Sequence, residues 1–184
     1  HSILNIAGVA AGFYVSARTG SFWFGIIFLL VSGLLYFYSA SYKRQFLIGN
    51  LLVSVLTALV PVLAVIFEWA ALYRYYSVYA IELPDLKFLF YWAGGFSLFA
   101  FLTTLIREII KDIEDFEGDA AYGRNTIPVM IGIRAARIIS ISLITITIAA
   151  LFIVWRFFIN DRITLIYISA AIVIPLLFVI YRLI

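Results

Sequence analysis

Six runs of nearly uninterrupted apolar residues divide the chain, at positions 2–17, 22–38, 47–69, 88–110, 135–155 and 163–183, and the charged residues gather between and at the ends of them. At a helical rise of about 1.5 Å per residue these runs reach about 24 to 35 Å, close to the hydrocarbon thickness of about 30 Å. The pattern predicts an all-α fold, a multi-span transmembrane helical bundle forming one domain over residues 1–184. The first run is the shortest, about a turn less than a full crossing. The chain also opens on His1 rather than Met, directly into apolar sequence without a signal-peptide charge pattern, and stops at the close of the sixth run. It reads as an internal piece of a longer protein.

The connections carry their own signals. Residues 18–21 make a turn, and 39–46 are polar and basic through Tyr42-Lys43-Arg44. Between 71 and 87, Tyr73, Tyr75, Tyr76 and Tyr79 interleave with Arg74, Glu82 and Asp85, the mixture of a connection lying along a membrane interface. Residues 120–134 form a loop punctuated by Gly123, Pro128 and Gly132, and 156–162 join the last two runs. Alternating six spans collects Lys43, Arg44, Arg107, Lys111, Arg124, Arg134, Arg137 and Arg182 on one side, eight of the 13 basic residues. The positive-inside rule makes that side cytoplasmic, with the cytoplasmic membrane as the expected location. Trp23, Trp69, Trp92 and Trp155 fall near the opposite side, as an interfacial belt requires.

Composition agrees: 65% of residues are hydrophobic, 12% are charged and the mean hydropathy is +1.11, the balance of an integral membrane protein with lipids as its surroundings. With no cysteine and one histidine, thiolate chemistry, a histidine metal site and a Ser-His-Asp triad are excluded within these residues. A net charge of +3, carried mostly at span ends, gives no case for a nucleic-acid partner.

The candidate chemistry lies at the end of the fourth run. Arg107-Glu-Ile-Ile-Lys-Asp-Ile-Glu-Asp-Phe-Glu-Gly-Asp119 holds six of the chain's ten carboxylates. On a continuous helix Glu108, Asp112, Asp115 and Asp119 share one face within roughly 60°. Asp112, Asp115 and Asp119, at i, i+3 and i+7 beside an apolar bundle, suit Mg2+, a hard cation that takes carboxylate oxygens and shares its other positions with water and phosphate. Gly118 is a possible end of that helix, which would put Asp119 on the loop. The basic segment with Lys43 and Arg44 falls on the same membrane side, and together with Lys111 and Arg124 it supplies cations for a diphosphate. Arg107 lies off the acidic face, where Glu114 or a lipid headgroup is its expected partner, and Asp112 is placed to orient Lys111 or to bind the metal through water. Tyr36, Tyr38 and Tyr42 are candidates for shielding a cation with their rings. Several plainer readings compete. The acidic stretch can be a solvated charge cluster with ion pairs of small worth, Lys43 and Arg44 can be orientation signals alone, and the tyrosines can be belt residues. An EF-hand fits poorly, because its ligands alternate and end in a glutamate.

At these residues the chain resembles the UbiA superfamily of intramembrane prenyltransferases. The stretch from Arg107 to Asp119, followed by Gly123-Arg-Asn-Thr-Ile-Pro128, is similar to that family's second aspartate-rich motif and its downstream loop. Tyr42-Lys43-Arg44 with Gly49-Asn50 matches its basic loop between the fourth and fifth helices. The wording is closest to the branch resembling digeranylgeranylglyceryl phosphate synthase. The resemblance implies six spans of nine and a Mg2+-assisted ionisation of an allylic prenyl diphosphate, with geranylgeranyl diphosphate among the candidates. The cation is then captured by a lipid-phase acceptor such as geranylgeranylglyceryl phosphate. It also implies Asp112, Asp115 and Asp119 as the catalytic, metal-holding residues, Asp115 and Asp119 foremost. The family's first motif, Asn-x-x-x-Asp-x-x-x-Asp, is not found in this sequence, so this piece alone is expected to be inactive. An aromatic quinone-precursor prenyltransferase is the alternative within the superfamily. A CDP-alcohol phosphotransferase lacks its Asp-Gly and Ala-Arg signature here. A transporter would be expected to place ionisable groups at mid-membrane, whereas here they cluster at span ends.

Overall fold

The computed structural model describes residues 2–40, 45–79 and 85–184, and every regular element among them is a helix. In order these are α1 (Ser2–Thr19), α2 (Phe22–Ala40), α3 (Ile48–Val78), α4 (Lys87–Glu114), α5 (Phe116–Ala121), α6 (Ile127–Ile131), α7 (Ile133–Val154), α8 (Arg162–Tyr167) and α9 (Ile174–Leu183). Wide π turns at Trp155–Ile159 and Ile168–Val173 extend α7 and join α8 to α9. Five helical stretches are long and apolar enough to cross a membrane: Phe22–Ser39, Ile48–Val78, Lys87–Glu114, Ile133–Ile159 and Arg162–Leu183. The protein is an integral membrane protein. The first apolar run does form a helix, α1, but it is not one of the five, because Asn5, Arg18 and two glycines dilute its apolar content.

The interfacial connection expected over 71–87 is corrected in its first half. Residues 71–78 continue α3, which runs for 31 residues through Pro61 without a break. The Tyr-rich segment is therefore helix surface. Its rings pair one turn apart at two places around the helix, Trp69 on Tyr73 at 5.6 Å and Tyr75 on Tyr79 at 4.8 Å between centroids, the i,i+4 pairing a helix provides. Glu82 lies outside the described residues.

By internal contacts the chain divides into two compact units, His1–Lys43 with Leu52–Phe101 and Arg44–Leu51 with Leu102–Ile184. In the first, α1 and α2 form a hairpin. A Cβ on Gly12 would come within 2.3 Å of the Phe28 ring, so only glycine admits that ring against α1. Phe67 of α3 packs edge-on against Phe24 at 4.6 Å and stacks on Phe28 at 5.5 Å. Arg74 donates to the Arg18 carbonyl at 2.9 Å, satisfying one of the acceptors left over at the end of α1.

In the second unit the core is Ile106 of α4, Ile144 of α7 and Leu183 of α9, with Ile141, Ile148 and Ile180 packed around them. Ser140 and Thr147 are buried in α7, and their hydroxyls donate back to the carbonyls of Ala136 and Leu143, so neither leaves an open polar group in an apolar surround. Pro175 accounts for the second π turn: proline cannot donate to the carbonyl four residues back and collides with it, and the widened turn ahead of it makes room. Asp161 caps α8, its carboxylate accepting from the Thr164 N–H at 2.7 Å.

Candidate functional site

The site is built on the last turns of α4. Leu102, Leu105, Ile106 and Ile109 are buried at helical spacing, and the same stripe continues into Glu108 and Asp112, both more than nine-tenths buried. Asp112 thus occupies a place where periodicity expects an apolar side chain. The helix is interrupted at Asp115, the one residue between α4 and α5, whose φ and ψ are −83° and 3°. The interruption is mild, since the Asp115 N–H still donates to the Lys111 carbonyl and the Asp119 N–H to the Asp115 carbonyl, each at 2.9 Å. The turn spacing survives it, and Asp119 is buried, 4% exposed.

Gly118 lies inside α5, so the helix does not end there. It ends at Tyr122, where Gly123 takes φ +64°, a left-handed conformation that glycine adopts without cost. That reversal brings Arg124 back onto Asp119 twice: its N–H donates to the Asp119 carbonyl at 2.9 Å and its Nη1 to Oδ1 at 2.8 Å. Thr126, the next buried polar residue, has a hydroxyl with no hydrogen-bond partner among the described residues, and Ile127 and Pro128 close the loop in the interior.

The partners of the acidic stretch differ from those expected. Arg107 pairs with Glu108, its neighbour, and not with Glu114. Lys111 pairs with Asp115 at 3.3 Å, one turn on, and not with Asp112. Asp112 instead accepts, through Oδ2, a 2.7 Å hydrogen bond from the side-chain amide of Asn50, the third residue of α3. The charges of Asp119, Lys111 and Glu108 all act on Asp112, so Asp112 and Asp119 belong to one electrostatic group. Asp115 stands apart from it, its side chain 53% exposed. The partner that spacing on α4 does not show is Asn50, which the sequence places only in the match to the basic loop. Its signal was an amide in the first turn of an apolar helix directly after the basic segment. Lys43, Arg44 and Tyr42 lie outside the described residues. Tyr36 is exposed.

Among the described residues no three carboxylates converge into a ready metal cage. The donor set still fits Mg2+, which is held in phosphate-handling sites by one or two carboxylates and completes its shell with water and phosphate oxygens. Asp112 and Asp119 would hold it. The opposite side of α4 carries a groove of about 420 Å³ lined by Ile106 and Ile110, by Leu176 and Val179 of α9, and by Arg107, Lys111 and Glu114.

A family model described as the UbiA prenyltransferase family matches residues 2–184. Curated relatives named digeranylgeranylglyceryl phosphate synthase are similar to the chain. The one from Thermococcus sibiricus is 38% identical over 117 residues, 64% of this chain and 35% of the relative. The one from Methanosphaera stadtmanae is 33% identical over 147 residues, 79% of this chain and 44% of the relative. The one from Methanopyrus kandleri is 38% identical over 122 residues, 64% and 38%. The chain spans less than half the length of these relatives. No solved structure matches it.

Proposed function

The chain belongs to the UbiA prenyltransferase family, and from that premise we propose that it forms part of an enzyme moving a polyprenyl group from an allylic diphosphate to a lipid-phase acceptor. The observation that carries the reading is the buried pair Asp112 and Asp119, one held by the Asn50 amide and the other by Arg124. Two buried carboxylates at the end of an apolar helix repel each other and cost several kcal/mol in desolvation unless positive charge joins them. Arg124 supplies it to Asp119, and a divalent cation would supply it to Asp112.

Mg2+, when bound, stabilises the negative charge that grows on the departing diphosphate. Asp112 and Asp119 would hold the cation, and Asp115, half exposed and paired with Lys111, is the outer carboxylate. Arg124 is placed to exchange Asp119 for a phosphate oxygen, its planar fork suiting either acceptor. Lys43 and Arg44, seven and six residues before Asn50, are the further diphosphate contacts, and Lys111 is a lesser one because Asp115 already engages it. The apolar helices accommodate the polyprenyl tail and keep water from the allylic cation once the carbon–oxygen bond has broken. The acceptor hydroxyl then captures the cation and releases a proton.

The names of the relatives make geranylgeranyl diphosphate and geranylgeranylglyceryl phosphate the substrates to test first. The site would face the cytoplasm, where the basic loops gather. The test incubates the full-length protein in membranes with both substrates, with Mg2+ or with EDTA, and follows the digeranylgeranylglyceryl product by mass spectrometry. Product formed only with Mg2+ is expected. Turnover undiminished in EDTA overturns the metal reading, and prenylation of an aromatic acid in place of the glyceryl phosphate moves the enzyme to the quinone-precursor branch.

A further inference from the structure

We infer that Asn50 is a positioning residue for Asp112, holding that carboxylate in place without cancelling its charge, so that Asp112 is the first foothold for a divalent cation. The inference rests on the reading of the acidic face as a cation and diphosphate site.

Four carboxylates on the acidic face have described partners, and three of the partners are cations: Arg107 for Glu108, Lys111 for Asp115 and Arg124 for Asp119. Asp112 is the exception among the described residues, held by the neutral Asn50 amide at 2.7 Å. It is also one of the three buried acids, alongside Glu108 and Asp119. A buried carboxylate fixed by a salt bridge has lost most of its pull on a third charge. One fixed by an amide N–H keeps its full negative charge while its orientation is restricted. Asp119 and Glu108 act on it as like charges and Lys111, which is paired with Asp115, as an opposite one, so the nearby charge does not add up to a cation of its own.

The contact is also long-range in sequence, 62 residues, and brings the first turn of α3 against the end of α4. Asn50 follows directly on the basic segment that contains Lys43 and Arg44. One hydrogen bond therefore ties the helix that follows the cationic segment to the carboxylate that precedes the bend. Outer-shell partners of this kind orient a ligand before it meets its metal, and losing one costs about 10- to 100-fold in affinity.

The experiment measures Mn2+ binding by electron paramagnetic resonance on the full-length protein in nanodiscs, without substrates, together with the unfolding temperature in the absence of metal. Asn50→Ala is expected to weaken Mn2+ binding about 10- to 100-fold. Asn50→Lys keeps a donor but adds a charge. It is expected to weaken binding at least as much while the metal-free unfolding temperature holds or rises, an outcome that a purely structural hydrogen bond does not produce. Asn50→Ser, a shorter neutral donor, is expected to fall between Ala and wild type, and with Asn50→Lys it carries the test if Asn50→Ala does not fold. Wild-type Mn2+ affinity in Asn50→Ala or in Asn50→Lys overturns the inference. The Asp112→Asn variant separates the two levels: if it binds Mn2+ like wild type, the acidic-face reading itself falls, whereas weakened binding there beside unaltered Asn50→Ala condemns only the role given to Asn50.

Discussion

On one side of the last turns of α4, Arg107, Lys111 and Glu114 line an open groove with Ile106, Ile110 and two residues of α9; on the other, Glu108, Asp112 and Asp119 are buried. The charge density along the helix is the same. What differs is the dielectric each side offers. Exposed pairs are worth about 0.2–1 kcal/mol and tolerate loss of a partner. A buried carboxylate deprived of its partner is destabilised by several kcal/mol, so its partners are fixed and specific. On the proposed function, the comparison separates charges that hold the helix end in its surroundings from charges that serve the chemistry.

The sharpest way to break it is to neutralise one charge on each side. Asp112→Asn and Asp119→Asn in the full-length protein are expected to lower prenyl transfer by at least about 10²- to 10³-fold, the scale for removing a preorganised electrostatic group. Glu114→Gln, on the groove side, is expected to change it by less than about fivefold, the scale of an exposed charge. Initial rates at saturating substrates make the measurement. Equal losses on the two sides would erase the distinction between them.

A smaller effect is expected at Arg124, which links the sides by reaching from half-exposed surroundings to the buried Asp119. Arg124→Gln leaves that carboxylate without its cation and is expected to cost on the order of 2 kcal/mol, less than for a fully buried pair because the guanidinium is partly solvated. Added Mg2+ should then raise the unfolding temperature of Arg124→Gln more than that of wild type, since the cation takes over a vacated partner. An identical Mg2+ shift in the two proteins would mean that Asp119 does not meet the metal.

Much of this was legible before any coordinates. Uninterrupted apolar runs fix a helical bundle because hydrocarbon leaves the backbone few other ways to satisfy its own polar groups. The crowding of Glu108, Asp112, Asp115 and Asp119 on one helical face follows from spacing alone. The end of α3 was less legible: tyrosines beside Arg74 read alike on a helix and on an irregular connection, and it is the unbroken helix as far as Val78 that tells them apart. The partners were the least legible. Nothing local joins Asn50 to Asp112 across 62 residues. Spacing alone does not show that Asp115, at the bend, is half exposed while the buried stripe of Leu105 and Ile109 carries Asp112 inward. Arg124 was legible as a cation near the motif, but its return to Asp119 depends on the left-handed Gly123.

The smallest expected effect sits at Lys111 and Asp115, where the two sides of α4 meet. Both side chains are about half exposed and one helical turn apart. A double-mutant cycle on unfolding free energy with Lys111→Gln and Asp115→Asn is expected to give a coupling of about 0.3–0.5 kcal/mol, the value for an i,i+4 pair. Because Asp115 engages Lys111 in this way, Lys111→Gln alone should raise the KM for prenyl diphosphate by less than about fivefold, within the worth of one exposed pair. A coupling near zero together with a tenfold or larger rise in KM would place Lys111 on the phosphates and move the boundary between the two sides of the helix by one residue, from the groove toward the buried acids.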